Sequence, residues 1–133
     1  MKHIIASGPV IIEDGKVLVS KDNKDDFYKL IGGRIDEGDD LEIACIRKAK
    51  EACGAEIEII KPLYPNILYE NPQTKEKMKI ILINYLAKLK NKDKINPIYP
   101  EEDLKWVRLE DIKAGKGNVS PNIKLLIEKN NLS

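Results

Sequence analysis

The chain has 133 residues, 42% of them hydrophobic and 34% charged, a balance that supports one buried core and excludes an intrinsically disordered chain. Its formal net charge of +1 gives no global field to steer it toward a nucleic-acid polymer or an anionic membrane surface. The opening Met1-Lys2-His3-Ile4-Ile5-Ala6-Ser7-Gly8-Pro9 has too short an apolar run for a signal peptide, and no segment carries the ~20 apolar residues a membrane span needs. A cytoplasmic protein folded as a single domain over residues 1–133 is expected.

In chain order, Ile4 to Ala6 and Val10 to Ile12 read as β-branched strands. Glu13-Asp14-Gly15 is a tight-turn signal, with Val17 to Ser20 as the returning arm of a hairpin. Lys21 to Asp26 is a polar loop, and Phe27 to Ile31 a short strand running into Gly32-Gly33. The clearest helix follows. Asp39-x-x-Glu42 has the form of a capping box, Leu41, Cys45 and Ala49 make an apolar stripe at i, i+4, i+8, and Gly54 stands where a C-terminal cap belongs. Further strands are expected over Glu56 to Lys61, Ile67 to Glu70, Lys77 to Lys90 and Leu104 to Leu109, the last carrying Trp106. Asn71-Pro72-Gln73 is a turn, and Lys90 to Pro100 a loop. Ser120-Pro121 is an N-cap and N1 pair for a final helix with Ile123, Leu126 and Ile127 on its apolar face. These elements make a mixed α/β chain with two main helices.

The two cysteines, Cys45 and Cys53, lie on the same expected helix. At ~1.5 Å rise per residue their Cα atoms stand about 12 Å apart, which excludes a disulfide between them. Neither belongs to a Cys/His cluster of zinc-site spacing, so both read as small core residues.

The stretch with chemical content is Gly32-Gly33-Arg34-Ile35-Asp36-Glu37-Gly38-Asp39, continued by the helix through Arg47-Lys48-Ala49-Lys50-Glu51-Ala52-Cys53-Gly54. It resembles the Nudix box, G-x5-E-x7-R-E-U-x-E-E-x-G-U, where U is aliphatic. The hairpin before it and Trp106 after it fit the same family. The resemblance implies an α/β/α Nudix fold, a mixed sheet between helices, and hydrolysis of a nucleoside diphosphate linked to another group, with Mg²⁺ assisting attack by water. Gly33, Arg47 and Gly54 match the box, and Asp39 stands in for a glutamate. In the family the residue at Gly32 offers a metal-binding carbonyl.

The departures fall on the chemistry. Residues 48, 51 and 52 are neighbours on a helix face, where the family places three carboxylates. Here they are Lys48, Glu51 and Ala52. Mg²⁺ requires hard oxygen ligands, and exchanging two carboxylates for a cation and a methyl removes most of the attraction for a divalent ion. Lys48 is also placed to pair with Glu51. The box is therefore a degenerate one, with Glu51 and Gly32 as the candidate metal ligands. Glu37, or the run Glu101-Glu102-Asp103 before the Trp106 strand, could supply a further acid, and Glu102 is the catalytic candidate there beside Glu51. The alternative for that run is a solvated charge cluster. Arg34 and Lys48 are candidate phosphate contacts. Asn122 resembles an asparagine that contacts the purine in MutT-like members, or is simply a first-turn helix residue. Asp39 is a helix cap partnered by Arg47, or a catalytic acid.

Two functions of different class follow: a divergent hydrolase with weak Mg²⁺ binding, and a non-hydrolytic nucleotide or phosphate binder in which Lys48 replaces the metal. A purely structural or partner-binding role is the third. The expected ligand is a nucleotide or nucleoside-diphosphate derivative, with no nucleic-acid polymer and no membrane as partner. A second copy of the chain is a candidate partner.

Overall fold

The computed structural model describes residues 2–92, 95–96 and 102–133. The strands are β1 (His3–Glu13), β2 (Lys16–Asp22), β3 (Lys29–Leu30), β4 (Gly33–Arg34), β5 (Ile57–Pro62), β6 (Asn66–Glu70), β7 (Lys77–Leu89) and β8 (Glu102–Arg108). The helices are α1 (Leu41–Cys53), α2 (Leu109–Lys113) and α3 (Pro121–Lys129).

β1 organises the sheet. Residues 3–11 run parallel to β7, from His3 opposite Lys79 to Ile11 opposite Ala87. The last two residues of β1 pair with β2 across a two-residue turn, Glu13 opposite Lys16. Asp14 and Gly15 in that turn have φ of 51° and 73°, the positive values that a tight hairpin turn requires. β2 continues to β3 and β8, while β7 carries β5 and β6 along its other edge. The sheet is thus mixed, with β1 as the strand that passes from one half to the other.

The two expected strands around Gly8-Pro9 are one strand. Proline has no N–H to give to a ladder. Pro9 is tolerated because β4 pairs only Ala6 and Ser7, and β2 only Ile12 and Glu13, so between them β1 is bonded on the β7 side alone. Gly8 has a different reason. A Cβ there would lie 2.1 Å from the Ile31 carbonyl oxygen, and one on Gly32 would lie 2.4 Å from the Ser7 carbonyl oxygen. The loop that opens the box is pressed backbone to backbone against β1.

Period-2 alternation sends successive side chains to opposite faces, and both faces are covered. Val17, Val19 and Val107 join Ile112 of α2 and Ile123, Leu126 and Ile127 of α3 in one core. Leu18, Tyr85 and Ala87 join Cys45, Ala49 and Cys53 of α1 in the other, with Leu41, Leu104 and Trp106 packed against it. Helices therefore flank the mixed sheet on both sides, the α/β/α arrangement expected from the sequence.

Several boundaries differ from the sequence reading. The Phe27 to Ile31 strand shrinks to β3, because Tyr28 turns away to bridge Val119. Leu109 ends no strand but begins α2, a helix the sequence reading missed at five residues long. The α1 cap is Asp40, whose Oδ1 accepts from the Ile43 N–H at 3.0 Å, not Asp39. At α3, Ser120 holds the cap position without a side-chain bond to the backbone; its Oγ contacts Asn122 Oδ1. Among the described residues, no helix is long and apolar enough to cross a membrane.

Candidate functional site

The box loop is held by one ion-pair system. Asp39 Oδ2 accepts from the Asp36 N–H at 2.9 Å, and both Asp39 oxygens face the Arg47 guanidinium, at 3.4 and 3.2 Å. Such a two-pronged contact fixes orientation as well as distance. Arg47, then the Asp36 N–H, lower the pKa of the Asp39 carboxyl. The Arg47 side chain is 41% exposed and that of Asp39 18%. Arg47 also reaches Glu51, one turn on, at 3.5 Å, so Glu51 pairs with Arg47 rather than with the expected Lys48. At the other end of α1, Gly54 has φ 71° and its N–H donates to the Lys50 carbonyl at 2.9 Å, a left-handed cap that a side chain would strain.

Two cavities open beside this loop. The larger, about 310 Å³, lies between β1, β7, the 71–73 turn and the start of α3, a size at the lower end for small-molecule sites. Phe27, Asn84, Asn122, Lys29, Gly32 and Gly33 are on its wall. Asn84 is buried, and its Nδ2 donates to the Gly8 carbonyl at 3.1 Å. The Asn71 side chain accepts from the Gln73 and Thr74 N–H groups and so shapes the turn that closes one side. The smaller cavity, about 170 Å³, is lined by Ser20, Lys29, Leu30, Ile31, Gly32, Ala52, Glu102 and Leu104. The segment Lys29 to Gly32 is common to both.

The structure brings some expected site residues together and separates others. Gly32 and Glu102 share the smaller cavity, with Ala52 opposite. Asn122, Gly32 and Gly33 share the larger. Glu51 lines neither, and its side chain is 63% exposed. Arg34 is exposed on β4 and Lys48 is half-buried on α1, and neither lines either cavity. Glu37 is exposed in the loop. Asp103 is exposed and contacts the Tyr28 hydroxyl. Glu101 lies outside the described residues. Lys29 and Phe27 were missed as site residues. The only sequence signal for them was their position just before Gly32-Gly33.

A divalent ion in the smaller cavity would find the Gly32 backbone and the Glu102 carboxylate, but also the Lys29 side chain and the Ala52 methyl. Mg²⁺ favours several oxygen ligands in near-octahedral order, and an ammonium in the wall opposes a dication. Among the described residues no group of three or more His, Cys, Asp or Glu is placed to hold a metal. These residues do not fit the ion.

The fold has many solved counterparts. A MutT protein from Methanosarcina mazei Go1 superimposes with a TM-score of 0.80 at 18% identity, over 98% of this chain and 94% of that one. A NUDIX-family hydrolase from Clostridium perfringens gives 0.74 at 23% identity, over 99% of both chains. A C. elegans Ap4A hydrolase gives 0.73 at 23%, over 95% of this chain and 93% of that one. No curated protein matches the sequence. Identities this low establish the fold alone, but the NUDIX domain model matches residues 1–126, nearly the whole chain. With the loop–helix geometry around Gly33, Arg47 and Gly54, that match places the chain in the Nudix family.

Proposed function

We propose that this protein binds a nucleotide derivative and has little Mg²⁺-dependent hydrolytic activity. The observation that carries the reading is the pair of adjoining cavities. The larger has an aromatic ring, Phe27, and the amides of Asn84 and Asn122, a lining suited to a flat heterocycle that stacks and hydrogen-bonds. The smaller has Ala52 and Lys29 in its wall, where metal-assisted attack on a diphosphate needs carboxylates. The name of the C. elegans neighbour, an Ap4A hydrolase, supports a nucleotide derivative as the kind of ligand. A residual hydrolase reading rests on Glu102 and Gly32 sharing the smaller cavity.

Hydrolysis and metal binding separate the two. The wild-type protein should release little phosphate or pyrophosphate from common nucleoside di- and triphosphates, with Mg²⁺ as with EDTA. Lys48→Glu combined with Ala52→Glu should acquire Mg²⁺ binding, seen by calorimetry, and a measurable rise in hydrolysis. A single charge-stabilising contact is worth about 10²–10³ in rate in other enzymes, so a poorly arranged gain is still detectable. Robust Mg²⁺-dependent turnover by the wild type would refute the reading and assign hydrolysis to acids outside the box helix. No nucleotide binding by either protein would favour a structural or partner-binding domain.

A further inference from the structure

We propose that Lys29 supplies the positive charge that meets the ligand's phosphates, so that nucleoside phosphates bind without a metal. This rests on the nucleotide-binding reading above and assigns the counter-charge to a residue outside the box.

Three observations converge on Lys29. It is the one charged residue, among the described ones, that lines the larger cavity, and it lines the smaller one as well. A ligand with its ring near Phe27 and Asn122 and its phosphates toward Gly32 must pass along it. The sheet register also aims it correctly. Lys29 pairs with Ser20 on one edge of β2, and Ser20 pairs with Leu104 of β8 on the other. Directly paired residues project to the same face, so Lys29, Ser20 and Leu104 face α1 together, opposite Ala52. Lastly, Lys29 is anchored. Its Nζ donates to Asp25 Oδ2 at 2.8 Å, and the same oxygen accepts from the Asp22 N–H at 3.1 Å. The Asp25 side chain is only 9% exposed, while that of Lys29 is 41% exposed. An ammonium has three donors. One holds Asp25, which leaves two for an anion.

Glu102 lines the smaller cavity as well. Lys48 is i, i+4 from Ala52 on α1 but lines neither cavity.

Calorimetry in EDTA tests this, with ADP, GDP, CDP and UDP as probes and the four parent nucleosides beside them. Lys29→Gln should weaken the best diphosphate by about 10- to 100-fold, the range of a charge-assisted contact, and leave the nucleoside unchanged. Lys29→Arg should keep most of the diphosphate affinity, and Lys48→Gln should not alter it. Wild-type binding that survives Lys29→Gln overturns the assignment and leaves nucleotide binding in place. So does an equal loss for nucleoside and diphosphate, which would mark Lys29 as structural. Diphosphate binding that requires Mg²⁺ also overturns it. If the wild type binds no nucleotide in either EDTA or Mg²⁺, the nucleotide-binding reading fails as well.

Discussion

The contact between Gly8 of β1 and Gly32 of the box loop allows two energetic effects to be separated by alanine substitution. Gly15 measures backbone strain alone: its φ is +73°, and a Cβ there would have no heavy atom within 4 Å. Gly15→Ala should cost about 1–2 kcal/mol, the usual penalty for a side chain in the left-handed region. Gly8→Ala measures crowding alone, with a Cβ 2.1 Å from the Ile31 carbonyl oxygen. Gly32→Ala has both, with φ +134° and a Cβ 2.4 Å from the Ser7 oxygen and 2.7 Å from the Gly8 Cα. Ordinary contact begins at 3.4 Å, so the two backbones must separate by about 1 Å. Neither can swing aside as a flexible side chain would. Overpacking typically costs ~1–3 kcal/mol and a sparsely populated backbone conformation a further ~1–3, which puts Gly32→Ala at about 3–5 kcal/mol. For a chain of this size that is a fall in Tm of roughly 10–25 °C. Urea and thermal unfolding of the three variants give the order Gly15 < Gly8 < Gly32. If Gly32→Ala is no worse than Gly15→Ala, the loop is not pressed on β1 and the shared wall of the two cavities is misplaced.

Two further outcomes can be checked on the same material. Arg47→Ala should loosen the box loop and lower Tm at neutral pH. Because the contact depresses the Asp39 carboxyl, its contribution is fully present above the unfolded pKa of about 4 and fades as pH falls through the folded value. Tm measured from pH 7 to pH 2 should show the wild-type and variant curves converging at the acid end; a constant gap would mean the arginine acts by packing. Burial, helped by Glu42, pushes the Cys45 thiol up to about 12, and burial raises Cys53. Both should therefore ignore a thiol reagent at pH 8 until denaturant is added; a thiol titrated in the native state would contradict their place on the buried face of α1.

What could be read from the sequence was the part written in local backbone. Gly33 and Gly54 adopt positive φ, and the stripe of Cys45 and Ala49 follows helical spacing, so both leave marks within a few residues. Asp39 and Asp40 are adjacent acids that each suit a cap, and only the position of Arg47 in space decides which one turns back to it. Glu51 and Ala52 differ by one residue, about 100° around a helix. That rotation puts Ala52 in the cavity and leaves Glu51 in solvent beside Arg47. Helical neighbours were thus legible as a set but not by which of them faces inward. Phe27, Lys29, Asn84 and Asn122 meet only because β3, β7 and α3 converge, and no spacing in the chain announces a cavity built from segments ~90 residues apart.

The parallel pairing of β1 with β7 also bears on the order in which the protein can assemble during translation. His3 to Ile11 have their partners at Lys79 to Ala87, so the founding strand of the sheet waits while nearly eighty further residues are synthesised. At about 5–20 residues per second that is roughly 4–16 s. During this time an apolar strand has only the short pairings with β2 and β4, and the edge that β7 will cover is open. Pairing at such sequence separation closes a long loop before any ladder bond rewards it, which slows folding relative to a helical bundle of equal length. Until β7 emerges, the nascent chain is a candidate client for factors that shield unpaired strands at the ribosome.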